Sequence, residues 1–172
     1  MRLSAKLTVL MAVLALSACT NANRFDNDPV DLNAATGSAG GIVPGSASDP
    51  SSPAYFQQTV GDRVLFAVDQ STLSPEARAT LDGQVQWLNT NQDYNAVIEG
   101  HADEQGTRAY NLALGARRAN AVMEYLVAQG VSANRLQFVT YGKERPIEIC
   151  SEESCYAKNR RSVTIISAGL SS

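Results

Sequence analysis

Apolar and polar positions along this chain change rhythm several times, and each change marks an element. Leu7 to Leu16 is apolar apart from Thr8, behind a short segment that carries Arg2 and Lys6. From Thr20 to about Pro53 there is no period at all, and the composition shifts to Asn, Asp, Ser, Gly, Ala and Pro, as in ATGSAGGIVPGSASDPSSP. Patterned sequence begins at Arg63-Val-Leu-Phe-Ala-Val68, an apolar strand candidate. Asp69 to Ser74 reads as a turn, and Ser74-Pro75-Glu76 places a cap and then a proline at the first helical position. Ala77, Leu81, Val85 and Leu88 continue that helix at helical spacing until Asn91 to Tyr94 breaks it. Ala96-Val-Ile-Glu99 is a second strand, and Thr107 to Gln129 a second helix with Leu112, Ala116, Ala119, Met123 and Leu126 on one face. Gly130 stops it. Leu136 to Tyr141 and Ser162 to Ile166 complete the strands. Strands alternating with helices predict an α/β fold (an α+β sandwich), with one mixed β-sheet of about four strands and helices packed on it.

The apolar run near the N-terminus is about ten residues, whereas a helix needs roughly twenty to cross a bilayer. With Arg2 and Lys6 before it and Ser17-Ala18 after it, the run has the three-part layout of a secretory signal. Leu16-Ser17-Ala18-Cys19 resembles the bacterial lipoprotein box, in which the cysteine becomes the first mature residue and is lipidated; an ordinary cleavage beside an accidental cysteine is the alternative. Acyl chains on Cys19 would hold the chain to a membrane, each buried CH2 contributing ~0.8 kcal/mol. The resemblance to lipoproteins further implies an outer-membrane address, because Thr20 and not Asp follows the cysteine. The expected organisation is a signal peptide over 1–18, lipidated Cys19 with a flexible periplasmic linker over 19–54, and one folded domain over 55–172. A flexible coil of about 35 residues spans about 30–35 Å root-mean-square, so the linker reads as a leash.

Charge and cysteines narrow the function. The formal net charge is −3, and becomes −5 once Arg2 and Lys6 leave with the signal. An acidic chain without a basic run argues against nucleic acid, whose binding rests on Lys and Arg at phosphates. Cys150 and Cys155, in CSEESC, are expected to form a disulfide in an oxidising compartment. So small a loop stabilises modestly, by ~2 kcal/mol. Two cysteines without a histidine or second cysteine pair are too few for a closed zinc site.

The densest chemistry lies in GHADEQGTRAYNLALGARRAN, Gly100 to Asn120, which holds the only histidine, His101. Catalysis fits it poorly. A Cys–His pair would need a thiolate that disulfide-bonded cysteines lack, no G-x-S-x-G turn is present, and His101, Asp103 and Glu104 lack a second histidine at ligand spacing. Holding a ligand fits better. Asn111, Leu114 and Arg118 fall three to four residues apart and lie along one helical stripe, so Arg118 and Asp103 can face one cleft. A ligand with an ammonium and a carboxylate would meet complementary charges, the arginine gripping the carboxylate bidentately. On spacing alone, a simple Asp103–Arg118 pair remains the plainer reading. His101 reads as a strand-end residue with a hydrogen-bonded ring, Trp87 as core or a sugar-stacking platform, and Arg117 as a solvated or partner-facing charge.

GHADEQGTRAYNLALGARRANAV, then Thr140-Tyr-Gly-Lys-Glu144 and Ala157-Lys-Asn-Arg-Arg161, resembles the OmpA C-terminal-like family over roughly Arg63 to Ile166. The resemblance implies a non-enzymatic, cofactor-free domain that binds peptidoglycan through the diaminopimelate of its stem peptide and anchors the outer membrane to the cell wall. In that pattern Asp103 is the loop aspartate, and Arg118 the helix arginine fifteen residues later. Asp69 is a third position near the ligand, Thr107, Asn111 and Leu114 form the wall, and Asn159 to Arg161 form a terminal motif. Asn159 reads equally as ligand wall or as the polar lead into the last strand. The family usually has Asp-Glu-Arg-Gly in the loop, whereas this chain has Asp103-Glu-Gln-Gly106, so Gln105 lacks a charge for a ligand carboxylate. The resemblance also implies the propeller protein TolB and other Tol proteins as partners, in envelope constriction during division. A lipoprotein enzyme acting on the wall and a purely structural envelope protein without ligand are the alternatives.

Overall fold

The computed structural model describes residues 42–168. The expected signal peptide, the lipidation of Cys19 and the leash as far as residue 41 lie outside the described residues.

A turn of helix, α1 (Pro53–Tyr55), runs into a wide π turn (Phe56–Gly61) and then β1 (Arg63–Leu65). There follow α2 (Pro75–Thr90), β2 (Tyr94–His101), α3 (Arg108–Ala128), β3 (Leu136–Gly142), α4 (Glu153–Asn159) and β4 (Arg161–Ala168). The four strands form one sheet in the order β1-β4-β2-β3. β2 and β3 run parallel, and β4 is antiparallel to both β1 and β2, so the sheet is mixed as expected.

Local chemistry sets the helix ends. Ser74 Oγ accepts from Ala77 N at 3.1 Å ahead of Pro75, and Thr107 Oγ1 accepts from Tyr110 N at 3.2 Å. Gly130, at φ 97°, takes the left-handed conformation that ends α3. Alternation along the strands sends Val64, Ala96, Ile98 and Leu136 to one face, where they are buried against Leu81 and Leu88 of α2 and Ala119, Val122 and Leu126 of α3. Burying such side chains supplies ~1.5–3 kcal/mol each. Gly100 of β2 and Gly115 of α3 meet backbone to backbone: a Cβ on Gly100 would overlap the Gly115 carbonyl oxygen. That close approach brings α3 down onto the end of β2, and Arg118, one turn further along, beneath it.

Three expectations change. The first strand ends at Leu65 rather than continuing to Val68: Phe66 N still donates in register to Arg160 O (2.9 Å), but Arg160 N turns back to Tyr156 O of the last helix and the chain then turns through Asp69, at φ 59°. The segment 42–54, assigned by composition to the leash, makes specific bonds: Trp87 Nε1 donates to Pro50 O at 2.7 Å, and Ser52 is buried and caps α1 by accepting from Tyr55 N at 3.0 Å. Trp87 itself is core, edge-on to Phe56 at 4.9 Å. The helix α4 has no counterpart in the apolar pattern. Its first turn is tied to the preceding loop by the Cys150–Cys155 disulfide, which is formed with a Cα–Cα distance of 6.0 Å.

Candidate functional site

Three pieces of chain converge where β2 ends: the turn after β1 (66–70), the loop from β2 into α3 (102–107), and the first turns of α3. Between them lies a cleft of about 250 Å³ lined by Val68, Asp69, Asp103, Gln105, Gly106, Tyr110, Asn111 and Leu114. Four residues selected from the sequence, Asp69, Asp103, Asn111 and Leu114, are therefore gathered on one concave surface. A larger groove of about 470 Å³ between β1 and α2 contains none of them; the chemistry of the smaller cleft makes it the candidate.

Its loops are fixed from several sides. Asn111 Nδ2 donates to Gln105 O at 2.7 Å, and Lys143 Nζ donates to Gly106 O at 2.7 Å and Glu104 O at 3.2 Å. Asp103 Oδ1 accepts from Gln105 N at 3.2 Å, while its Oδ2 pairs with Arg160 Nη1 at 3.2 Å, both side chains being buried. Asp69 holds a left-handed backbone, rare for a residue other than glycine, and its carboxylate accepts from Tyr110 Oη. Backbone strain of this kind clusters at ligand sites.

Arg118 overturns the expected geometry. Its guanidinium neither lines the cleft nor pairs with Asp103; it is fully buried behind the cleft wall. Nε donates to Gln70 O (2.8 Å), Nη1 to His101 O (2.8 Å) and Nη2 to Ala67 O (3.1 Å). Three of its five N–H donors thus tie the turn after β1 to the end of β2. The Phe66 ring centroid lies 5.2 Å from the guanidinium carbon. Burial pushes its pKa down to about 10, against the opposing pull of Asp103. The group stays charged at neutral pH and adds positive potential beneath two carboxylates.

Two other selected residues are placed elsewhere than the cleft surface. Thr107 caps α3. Asn159 is buried and clasps the loop before α4, its Oδ1 accepting from Ile147 N (2.9 Å) and Glu148 N (3.2 Å) and its Nδ2 donating to Glu148 O (2.8 Å). Of the motif Asn159 to Arg161, it is Arg160 that reaches the site. Tyr110, in α3 one turn before Leu114, was also readable from helical spacing. His101 is buried as a strand-end residue, yet its ring nitrogens have no hydrogen-bond partner among the described residues: Glu99 Oε2 lies 3.4 Å from Nε2 but outside bonding geometry. The ring stacks on Tyr141 instead, at 5.6 Å. Burial above all, with Arg161 and Arg145 nearby, pushes its pKa down to about 4, so it is neutral at pH 7. Arg117 is exposed near the Tyr110 ring. Among the described residues no group of three His, Cys, Asp or Glu side chains is placed to hold a metal ion.

Comparison with known proteins adds the following. The OmpA family profile matches residues 65–160. A peptidoglycan-associated lipoprotein of Rhizobium meliloti is 46% identical over 157 residues, 91% of this chain and 84% of its own length. One from Pseudomonas aeruginosa is 45% identical over 135 residues, 78% of this chain and 77% of its own. Among solved structures, the peptidoglycan-associated lipoprotein from Burkholderia pseudomallei is 34% identical with a TM-score of 0.62, over 69% of this chain and 97% of that one. The C-terminal domain of Helicobacter pylori MotB, 22% identical with a TM-score of 0.59 over 63% of this chain and 86% of that one, shares the fold.

Proposed function

This chain belongs to the OmpA family, among its peptidoglycan-associated lipoproteins, and from that premise we propose that it binds peptidoglycan non-covalently and anchors the outer membrane to the cell wall. In this reading Cys19 carries the lipid in the outer membrane, the chain that follows is the leash, and the domain works in the periplasm as a binding module and not as an enzyme. The ligand element is the diaminopimelate of the stem peptide, whose far end carries an ammonium and a carboxylate. The observation that carries the proposal is the meeting of Asp69 and Asp103 on one small cleft, with Asn111 and Leu114 as its helical wall.

The division of labour follows from the geometry. Asp103 and Asp69 receive the ammonium. Asn111 and Lys143 hold the loop that shapes the mouth. Arg118 is a positioning residue: it locks the two aspartate-bearing loops together, and from beneath it supplies the positive charge that favours the ligand carboxylate. Thr107 and Asn159 serve by fixing α3 and the loop before α4. Gln105 hangs at the cleft edge without a charge, so the carboxylate depends more on Arg118 here than where an arginine stands in that loop. Binding per site need not be strong, because many tethered copies meet a polymer that repeats one epitope. The family resemblance of its motifs further leads us to propose TolB and the other Tol proteins as partners in envelope constriction.

The test is co-sedimentation of the full chain, in detergent, with purified sacculi, beside Asp103→Asn. Loss of one charge-assisted contact costs ~1.5–3 kcal/mol, about tenfold or more in affinity. If wild type pellets and a folded Asp103→Asn chain stays in solution, the cleft is the site. Equal pelleting of both would remove Asp103 from it, and failure of the wild type to pellet would sink the anchoring role.

A further inference from the structure

The disulfide-closed segment CSEESC, whose last three residues begin α4, lies outside the cleft, yet Ser151 reaches the cleft's loop and Glu153 reaches an arginine that holds it. Ser151 Oγ is 3.4 Å from Glu104 Oε1. Glu153, the first residue of α4, pairs with Arg160, the same guanidinium that holds Asp103. Nη1 of Arg160 is shared, 3.2 Å from Asp103 Oδ2 and 3.4 Å from Glu153 Oε2, while Nη2 takes Glu153 Oε1. Arg160 cannot move to favour either acid, because its Nε donates to Phe66 O at 3.2 Å and its own carbonyl accepts from Phe66 N at 2.9 Å. The disulfide Cys150–Cys155 closes the loop around Glu153 and so presents that carboxylate from a constrained turn.

The charge count along this row is informative. Asp103 paired alone with Arg160 would form a neutral couple, a poor wall for an ammonium. Two carboxylates on one guanidinium leave the row with a net charge of −1 beside the cleft. We propose that Glu153 is a specificity-determining residue: by sharing Arg160 with Asp103, it keeps the cleft wall negative enough to attract the ligand's ammonium, although it does not touch the ligand. The inference rests on the peptidoglycan reading above. It assigns a function to the disulfide-closed segment as well, which is to hold Glu153 on Arg160.

Arg160 is buried and multiply bonded, so replacing it tests folding more than charge. Glu153 is exposed at its outer face, with a side-chain accessibility of 67%, and Glu153→Gln keeps its shape while removing the charge. The experiment is binding of the full chain, in detergent, to purified sacculi at low and at high ionic strength, for wild type, Glu153→Gln, Glu153→Asp and Asp103→Asn. Partly exposed charges act at the level that changes affinity about fivefold. The expectation is about fivefold weaker binding for Glu153→Gln at low salt, recovery in Glu153→Asp, and convergence of Glu153→Gln with wild type at high salt, where the charge is screened. A merely structural role would leave a salt-independent defect that aspartate does not repair. Equal or tighter binding by Glu153→Gln while Asp103→Asn still fails would overturn the inference and leave the peptidoglycan site standing. Loss of wild-type binding itself would instead count against the reading on which it rests.

Discussion

An arginine sits at each end of β2, and the two do similar work in opposite surroundings. At the start of the strand, half-buried Arg135 donates from Nε to Tyr94 O (2.8 Å), from Nη1 to Leu88 O (3.0 Å) and from Nη2 to Asn91 O (3.0 Å). At its finish, Arg118 spends Nε, Nη1 and Nη2 on three carbonyls in the same manner, but wholly out of water. The first end is otherwise a cluster of rings, Trp87 lying 4.9 Å from Phe56 and 5.2 Å from Tyr94. The second gathers Asp69, Asp103, Arg160 and the uncharged His101 around the cleft. Stapling carbonyls at a loop requires only an arginine near solvent, as Arg135 demonstrates. Burying the charge costs several kcal/mol that stapling alone does not require. A buried guanidinium behind two carboxylates is better explained as part of a site than as part of a scaffold.

The sharpest way to break this comparison is to replace both arginines by methionine, one at a time. Arg118→Met removes a fully buried guanidinium and with it the donor to the buried His101 carbonyl and to the carbonyls of Ala67 and Gln70, and is expected to lower unfolding free energy by about 3–5 kcal/mol. Arg135→Met removes a half-buried guanidinium that water can partly replace, and should lose about 1–2 kcal/mol. Urea unfolding of both measures the gap. Equal losses would mean that the two ends differ in burial but not in kind.

A second, comparable effect is confined to the charged end. The ordinary histidine value is 6.5, and burial holds that of His101 at about 4 in the folded chain. As pH falls below 6.5, the unfolded chain takes up this proton first. The His101 contribution is therefore complete above pH 6.5 and lost on acidification toward pH 4, by on the order of 3 kcal/mol. Stability of wild type minus that of His101→Phe, followed from pH 7.5 to 4, should shrink across that window. A difference flat with pH would mean that the ring is not held neutral. No histidine stands at the other end to produce a matching slope.

The two ends were unequally legible in the sequence. Ring packing and helix ends follow local rules, so Ser74, Thr107 and Gly130 marked their positions correctly, and Leu81, Leu88, Ile98 and Leu126 announced a core. At the charged end, the stripe of α3 showed that Asn111, Leu114 and Arg118 lie together, but not where the guanidinium goes. That is decided by carbonyls of residues 67 and 70, about fifty positions earlier in the chain. The early end of β1 was hidden for a similar reason: Phe66, Ala67 and Val68 are apolar, and the ladder stops because the distant Arg160 N donates back to Tyr156 O and not across to Phe66. The sequence ESCYAKN of α4 has no apolar period, and its place is set by a disulfide and an ion pair.

The smallest expected effect lies at the ring end, where composition misled. Trp87 Nε1 donates to Pro50 O at 2.7 Å, the bond that ties the segment before α1 to α2. In Trp87→Phe the ring contacts with Phe56 and Tyr94 are largely kept while the donor is lost, which should cost about 1 kcal/mol for the hydrogen bond, with a further penalty where the smaller ring leaves space. Hydrogen exchange separates the two contributions. A lost tie speeds exchange locally, at the turn amides Ser46, Asp49 and Ser52, which donate to Val43, Ser46 and Asp49. A poorly filled core instead speeds exchange along α2 and β2. Sacculus binding should be unchanged in this variant, because Trp87 and the cleft lie at opposite ends of β2. A variant that loosened 46–52 and also weakened binding would show that the two ends are coupled through the strand, and that the charged site depends on the packed end more than their separate chemistries imply.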